Sequence, residues 1–459
     1  VTLLIDAAQA PHATPIVVIH SSNYDAFLSH TDARTKAWLT ATGFRAKPHT
    51  HALVPGADGA IAQVLVGVRS ADDPYALSHL PFALPPGDYT VASHHDALDP
   101  FSAALSWGLG SYQFTRYRQA SRQPARLIVA ASDAATRAGK ILSATFLIRD
   151  LVNTPTEDMG PQHLSAVAQK IADEQGASFR EWVGDDLLTH NFPAIHAVGR
   201  ASHRPPRLIE LTWGDEAHPR IALVGKGVCF DTGGLNIKAA EGMRQMKKDM
   251  GGGAHALGLA QLIMAMKLPV RLHVLVSAVE NAIAGNAYRP GEIVSTRKGL
   301  KIEIGNTDAE GRVVLSDALA LASEFSPELI IDFATLTGAA RVALGPELPA
   351  MYANQDEWAG ALENAARQTQ DPLWRMPLWQ PYNDMIKSSI GDIVNTGGAQ
   401  AGSVTAALFL EHFVPRAQPW IHIDLFAWTP QAKPGRPEGG EAQTLRATFS
   451  MLESHYGAR

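Results

Sequence analysis

One cysteine in 459 residues, Cys229, excludes an intramolecular disulfide framework and any zinc site built on thiolates. It also fits a reducing compartment. No apolar run approaches the ~20 residues needed to span a bilayer. The opening Val1–Ala8 carries an acid and no basic segment, so it does not read as a signal peptide. A cytoplasmic protein with no membrane partner is the expectation. Long basic runs are missing too, and the formal net charge is -6, which weighs against a nucleic-acid partner held by phosphate neutralisation. The chain contains no H-E-x-x-H, no G-x-x-x-x-G-K-[ST] phosphate loop and no strand–G-x-G-x-x-G–helix unit. Internal repeats and low-complexity tracts are absent as well.

What is present is an ordinary globular composition, 46% hydrophobic and 18% charged, in a chain too long for one hydrophobic core. Two α/β domains are expected. In the first, Ile16–His20, Ala60–Val68 and Arg126–Ala131 read as buried strands, and Asp99–Tyr117 as a helix interrupted by Gly108 and Gly110. The neighbouring His94 and His95 would diverge on a strand or a helix, which disfavours them as metal ligands. A long helical pattern opens at Asp133 and stops at Asn153-Thr154-Pro155, a plausible connector between domains. This places an N-terminal domain at 1–132 and the connector with a catalytic domain at 133–459. Beyond it, strand-like runs (Arg207–Thr212, Ile221–Phe230, Val270–Val279, Leu329–Thr335, Trp420–Phe426) alternate with helix-like runs (Pro161–Glu174, Gly252–Met266, Val313–Glu324, Val404–Phe413). That order predicts a mostly parallel central sheet with helices on both faces.

Ligands of such sheets bind outside the carboxyl ends of the strands. Lys226 and Asp231 fall there, in Gly225–Gly234; a lysine set inside an apolar strand needs a partner, which carboxylates or metals could provide. Asp249 precedes an apolar helix in Met246–Gly253, where an ordinary helix-dipole acid or a glycine-rich phosphate cradle is the competing explanation. Asp308 and Glu310, in Asn306–Arg312, share a face only if the backbone is extended there. Arg312 beside them suits an ion pair or a bound anion. Together the acids carry four negative charges, which two divalent cations would neutralise, and Lys226 could join as a neutral amine. The set is self-consistent as a dinuclear site of one nitrogen and several carboxylate oxygens.

These segments carry a resemblance. NTDAEGR at Asn306–Arg312, VGKGVCFDTGG at Val224–Gly234 and MKKDMGG at Met246–Gly252 are similar, in order and spacing, to the metal motifs of the leucyl (cytosol) aminopeptidases of the M17 metallopeptidase type. The likeness runs from about Arg149 onwards, including NAYRPGE (Asn286–Glu292) and PGRPEGGEA (Pro434–Ala442). In the N-terminal part, Trp107–Tyr117 resembles shorter proteobacterial members.

The resemblance implies two divalent metal ions, Zn²⁺ or Mn²⁺ before Mg²⁺ or Co²⁺. Asp231 and Glu310 would contact both, Lys226 and Asp249 would complete the tighter site, and Asp308 the more exchangeable one. It makes Lys238 the carbonyl-polarising lysine and Arg312 the holder of a bicarbonate that acts as general base. Met246, Thr335 and Gly338 would line the pocket for the first side chain, with Asn306 and Leu336 on the peptide main chain. The implied reaction is removal of an N-terminal leucine or other apolar residue from peptides with a free N-terminus, through a metal-activated hydroxide, by a homohexamer. Phe426 and Thr429 stand where smaller or thioether side chains are expected, which puts a simple leucine preference in question. A two-metal phosphoesterase and an accessory DNA-binding role, known for some family members, are the alternatives.

Overall fold

The computed structural model describes residues 4–6, 13–92, 98–120, 122–130 and 132–457; His94 and His95 lie outside them. The chain divides into two compact units, Val1–Ser143 with Gln431–Glu438, and Ala144–Pro430 with Gly439–Arg459. The expected connector is a single helix, Asp133–Asn153, which begins in the first unit and ends in the second.

In the first unit β1 (Leu4–Asp6), β2 (Thr14–His20), β3 (Thr50–Pro55), β4 (Ile61–Val68), β5 (Asp88–Val91) and β6 (Arg126–Val129) form one sheet, ordered β1-β6-β5-β2-β4-β3. All neighbours pair in parallel except the edge strand β3. Successive side chains of a strand face opposite sides. Ile16 and Val18 accordingly join one apolar cluster with Trp107, while Ile19 joins another with Leu39. That two-sided burial is why β2 and β4 read as continuous apolar runs rather than alternating ones. The helix expected over Asp99–Tyr117 spans Pro100–Gly110, and Asp99 caps it by accepting from the Phe101 and Ser102 amides.

The second unit is built on an eight-stranded sheet ordered β15-β14-β17-β13-β9-β10-β8-β7. Its strands are β7 (Ser178–Val183), β8 (Arg207–Trp213), β9 (Arg220–Asp231), β10 (Arg271–Asn281), β13 (Leu329–Ala334), β14 (Ala350–Ala353), β15 (Trp374–Arg375) and β17 (Trp420–Asp424). The four strands in the middle, β17, β13, β9 and β10, run parallel, and the antiparallel pairings lie towards the edges. A small sheet of β11 (Ile293–Ser295), β12 (Lys301–Glu303) and β16 (Ile393–Val394) stands apart from it.

Two helices pack on opposite faces of β9. On one face, Gly225 meets the helix Gly251–Met266 so closely that a β-carbon on Gly225 would lie 2.6 Å from the Gly253 Cα, and one on Gly252 2.1 Å from the Phe333 carbonyl oxygen. The triple glycine is therefore a helix-to-sheet contact rather than a phosphate cradle. One residue on, Lys226 turns to the other face and meets the helix Glu310–Glu324 at Gly311. Among the described residues, no helix is long and apolar enough to cross a membrane.

Candidate metal and peptidase site

The carboxyl ends of the parallel strands converge on a cleft of about 380 Å³. Strand β9 delivers Lys226 and ends at Asp231; β10, in register with it, ends at Asn281. The short 3-10 turn Met246–Met250 presents Asp249 just before the glycine-rich helix. Residues after β13 and β17 supply Thr335, Leu336 and Phe426.

Asp308 and Glu310 reach the same place by a route other than the extended one expected. The Ala309 amide donates to the Asn306 carbonyl at 3.2 Å, closing a turn, and Glu310 opens the helix Glu310–Glu324. Asn306 fixes that turn, its Oδ1 accepting from the Asp308 amide at 2.8 Å. Asp231, Asp308 and Glu310 then each offer a carboxylate oxygen within 4.8 Å of the others.

Opposite charges interleave in this cluster. Lys226 Nζ lies 2.8 Å from Asp249 Oδ2, 2.9 Å from Glu310 Oε1 and 3.0 Å from the Thr335 carbonyl. Lys238, whose amide donates to the Thr232 carbonyl at 2.9 Å to close the Gly233-Gly234 loop, places Nζ 2.7 Å from Asp231 Oδ2 and also pairs with Asp308 Oδ1. The other Asp231 oxygen accepts from the Gly233 amide and from Asn281 Nδ2, each at 2.8 Å. Thr335 Oγ1 donates to Asp249 Oδ1 at 2.9 Å.

Burial and mutual repulsion strain the acids. Burial, then the charge of Asp249, pushes the Asp231 carboxyl up to about 6. Burial and Asp231 push Glu310 up to about 8. Burial also disfavours the Asp249 anion, but Lys226 and Lys248 outweigh it and hold that carboxyl below its ordinary value. For Lys226, burial opposes the charge, and Asp249 and Glu310 more than restore it. Glu310 Oε2 is buried with no hydrogen-bond partner among the described residues. A buried acceptor left over in a nest of oxygen donors is what a divalent cation would satisfy. The residues present therefore fit a metal pair.

Met246, Thr335, Leu336 and Gly338 line the same cleft, as do Lys226, Asp231, Lys238, Asp249, Asp308 and Glu310. Asn306 and Arg312 do not line it. Arg312 is buried in the first turn of the Glu310–Glu324 helix; Nη1 donates to the Asn395 carbonyl at 2.9 Å and Nε has no partner among the described residues. Burial lowers its guanidinium to about 10. Phe426 lines the cleft, whereas Thr429 is buried elsewhere, 3.4 Å from Glu441 Oε2.

Sequence reasoning passed over several residues here. Asn281 and Asp424 both sit at carboxyl ends of parallel strands, the same positional signal that picked out Asp231. Asp424 Oδ1 accepts from the Leu336 and Thr337 amides and Oδ2 from Thr337 Oγ1 at 2.7 Å, which pins the chain entering the helix Gly338–Leu344. Lys248, next to Asp249, is buried against Phe426, and burial lowers its ammonium to about 8. Nothing local in the sequence distinguishes it from Lys247.

Residues 146–448 match the cytosol aminopeptidase family, catalytic domain, and residues 14–130 the M17 aminopeptidase, N-terminal domain. The chain belongs to the M17 cytosol aminopeptidase family. It is a metallo-aminopeptidase, a hydrolase of peptide bonds, and neither the phosphoesterase nor the DNA-binding alternative finds support. A probable cytosol aminopeptidase of Syntrophotalea carbinolica is 41% identical over 363 residues, 75% of this chain and 73% of that one. A second, from Roseiflexus castenholzii, is 39% identical over 371 residues, 76% of each. The crystal structure of cytosol aminopeptidase from Coxiella burnetii superposes with a TM-score of 0.94 at 49% identity, covering 99% of both chains. The bottromycin maturation enzyme BotP in complex with Mn superposes at 0.87 with 29% identity, covering 96% of this chain and 99% of that one. The two-domain α/β fold of the M17 family is thus shared throughout.

Proposed function

We propose that this M17 enzyme removes the first residue of peptides with a free N-terminus at a dinuclear centre held by Lys226, Asp231, Asp249, Asp308 and Glu310. The observation that carries this reading is the convergence of those five side chains on one cleft, with a buried oxygen of Glu310 left unpaired among the described residues. Two bound divalent ions would supply Lewis acidity and a water of lowered pKa. At the same carboxylates they would also reverse the balance that keeps Lys226 charged, the condition for its amine to act as a ligand. Mn²⁺ is supported by the Mn complex of BotP, and Zn²⁺ by the family resemblance. Mg²⁺ and Co²⁺ are the lesser alternatives.

Lys238 stands at the edge of the carboxylate cluster, where its ammonium can face the oxygen of the carbonyl under attack and stabilise charge developing there. Arg312, its Nε unpaired among the described residues, is the proposed holder of bicarbonate, which would relay a proton to the leaving amine. Met246, Thr335 and Gly338 form the pocket for the first side chain and Leu336 guides the main chain, while Asn306, outside the cleft, would act on the main chain only through the Asp308 turn it fixes. A cytoplasmic homohexamer is proposed on the family resemblance, with no membrane or nucleic-acid partner. Sedimentation velocity checks the assembly.

Metal analysis of the purified protein, combined with release rates from a panel of aminoacyl amides and one phosphate ester, tests the reading. About two divalent ions per chain and hydrolysis of the amides alone are expected. Phosphate-ester cleavage without amide cleavage would overturn it.

A further inference from the structure

The cleft holds two cations that the hydrolytic chemistry leaves without a task. Lys226 and Lys238 are engaged by carboxylates at 2.7–2.9 Å. Lys248 is not. It is only 4% exposed, its Nζ makes no hydrogen bond to another described residue, and its nearest carboxylate oxygen, Asp249 Oδ1, is 4.0 Å away. It rests instead 5.0 Å from the centroid of the Phe426 ring. The guanidinium of Arg341, on the helix Gly338–Leu344, lies 4.8 Å from the centroid of that same ring and forms no ion pair among the described residues. Both residues line the cleft together with Met246 and Thr335.

A desolvated ammonium without an acceptor is costly to keep. The acid that could have served both cations, Asp424, is already occupied by the Leu336 and Thr337 amides and the Thr337 hydroxyl. Asp249 is committed to Lys226 and Thr335, and a metal ion bound to it would draw its charge further from Lys248. The missing acceptor is therefore one the substrate brings. Phe426 offers an apolar face for the methylenes of a short side chain, and the two cations beside it offer donors for the carboxylate at its end.

We infer that Lys248 and Arg341 are specificity-determining residues that make the first-residue pocket select aspartate or glutamate at the substrate N-terminus. This rests on the aminopeptidase reading and replaces the expected leucine preference. The C-terminal carboxylate of a dipeptide has the same chemistry. The position of Lys248 beside Asp249, among the residues of the first-residue pocket, favours the side chain.

The test uses the metal-loaded full chain and chromogenic anilides of glutamate, glutamine, aspartate and leucine. Glutamate and glutamine differ in charge and little in shape. The glutamate anilide is expected to exceed the glutamine anilide in kcat/KM by about tenfold or more, and Lys248→Met to bring the ratio towards one. Arg341→Met should reduce the ratio less, and because Arg341 is exposed it keeps the inference falsifiable if the Lys248 variant does not fold. Equal rates for the two anilides, or a ratio unchanged in both variants, would overturn the inference and leave the aminopeptidase reading intact. So would a loss in Lys248→Met confined to Leu-Gly, absent for Leu-Gly-amide, which would assign the cations to the C-terminal carboxylate. If no anilide is cleaved the aminopeptidase reading fails instead. The pocket is then tested by thermal shift with free L-glutamate against L-glutamine, where equal shifts overturn it.

Discussion

Lys226 runs across Gly311 so tightly that a β-carbon on Gly311 would sit 2.7 Å from the lysine Cε and 2.9 Å from its Nζ. The lysine can approach Asp249 and Glu310 only because the residue after Glu310 has no side chain. Gly311→Ala is therefore expected to push Lys226 out of place, with an overpacking cost of about 1–3 kcal/mol. Metal affinity and kcat should fall together, and titration of the apo-protein with Mn²⁺ or Zn²⁺ reads the first. Unchanged metal affinity would remove Lys226 from the ligand set.

Lys238→Ala separates binding of metal from use of it. Metal content should stay at the wild-type level, since the five proposed ligands remain. The loss of a donor aimed at the developing oxyanion should lower kcat by about 10²–10³-fold. A near-wild-type kcat would sink the role assigned to this lysine.

His255 gives the fold a defined acid limit. Its Nδ1 lies 2.6 Å from the Gly251 carbonyl, and its Nε2 accepts from the Gln443 amide at 3.0 Å. The proton is thus on Nδ1, and a second proton on Nε2 would face an N–H. Burial lowers the imidazole to about 4 from an ordinary 6.5. Between those values the unfolded chain binds the extra proton and the folded one does not. Stability should therefore be full above pH ~6.5 and decline as pH falls towards ~4, by about 3 kcal/mol from this group. Urea unfolding at a series of pH values checks it: His255→Gln should show a shallower slope over that window than wild type, and identical slopes would refute the assignment.

Arg149 and Glu441 form a buried ion pair inside the second unit, Nη2 lying 3.1 Å and 3.2 Å from the two carboxylate oxygens. Removing Glu441 takes the paired carboxylate away from a buried guanidinium. Glu441→Ala should cost about 3–5 kcal/mol in stability, measured by denaturant unfolding with metal present. A loss below ~1 kcal/mol would mean that water or another group takes up the guanidinium.

How much of this was legible in the sequence depended on whether the signal was local. The strands β9, β10, β13 and β17 announce themselves as apolar runs because both faces are covered, and their ends differ from the expected ones by at most two residues. Lys226 and Asp231 stood out because charge is rare in such runs. By contrast, helices Tyr24–His30 and Ala33–Thr42 bury few side chains, Tyr24 in the first and Thr35 and Leu39 in the second, so no apolar stripe marks them. Asp308 and Glu310 were expected on an extended segment and instead meet across a turn at a helix start, because Asn306 bonds the backbone locally. The partnership of Lys248 with Phe426 and Arg341 joins positions far apart in the chain, as does the grouping of Gln431–Glu438 with the first unit. No window of neighbouring residues encodes either.

The order of strands in the large sheet also sets how late in the chain the cleft can be completed. Strand β17, nearly the last to be synthesised, inserts between β14 and β13, and it carries Asp424, which pins Leu336 and Thr337, and leads into Phe426. A chain emerging from the ribosome has all five proposed ligands by Glu310, yet it lacks the neighbour of β13 and one wall of the cleft. The cleft around the proposed ligands is thus complete only once β17 has taken its place in the sheet.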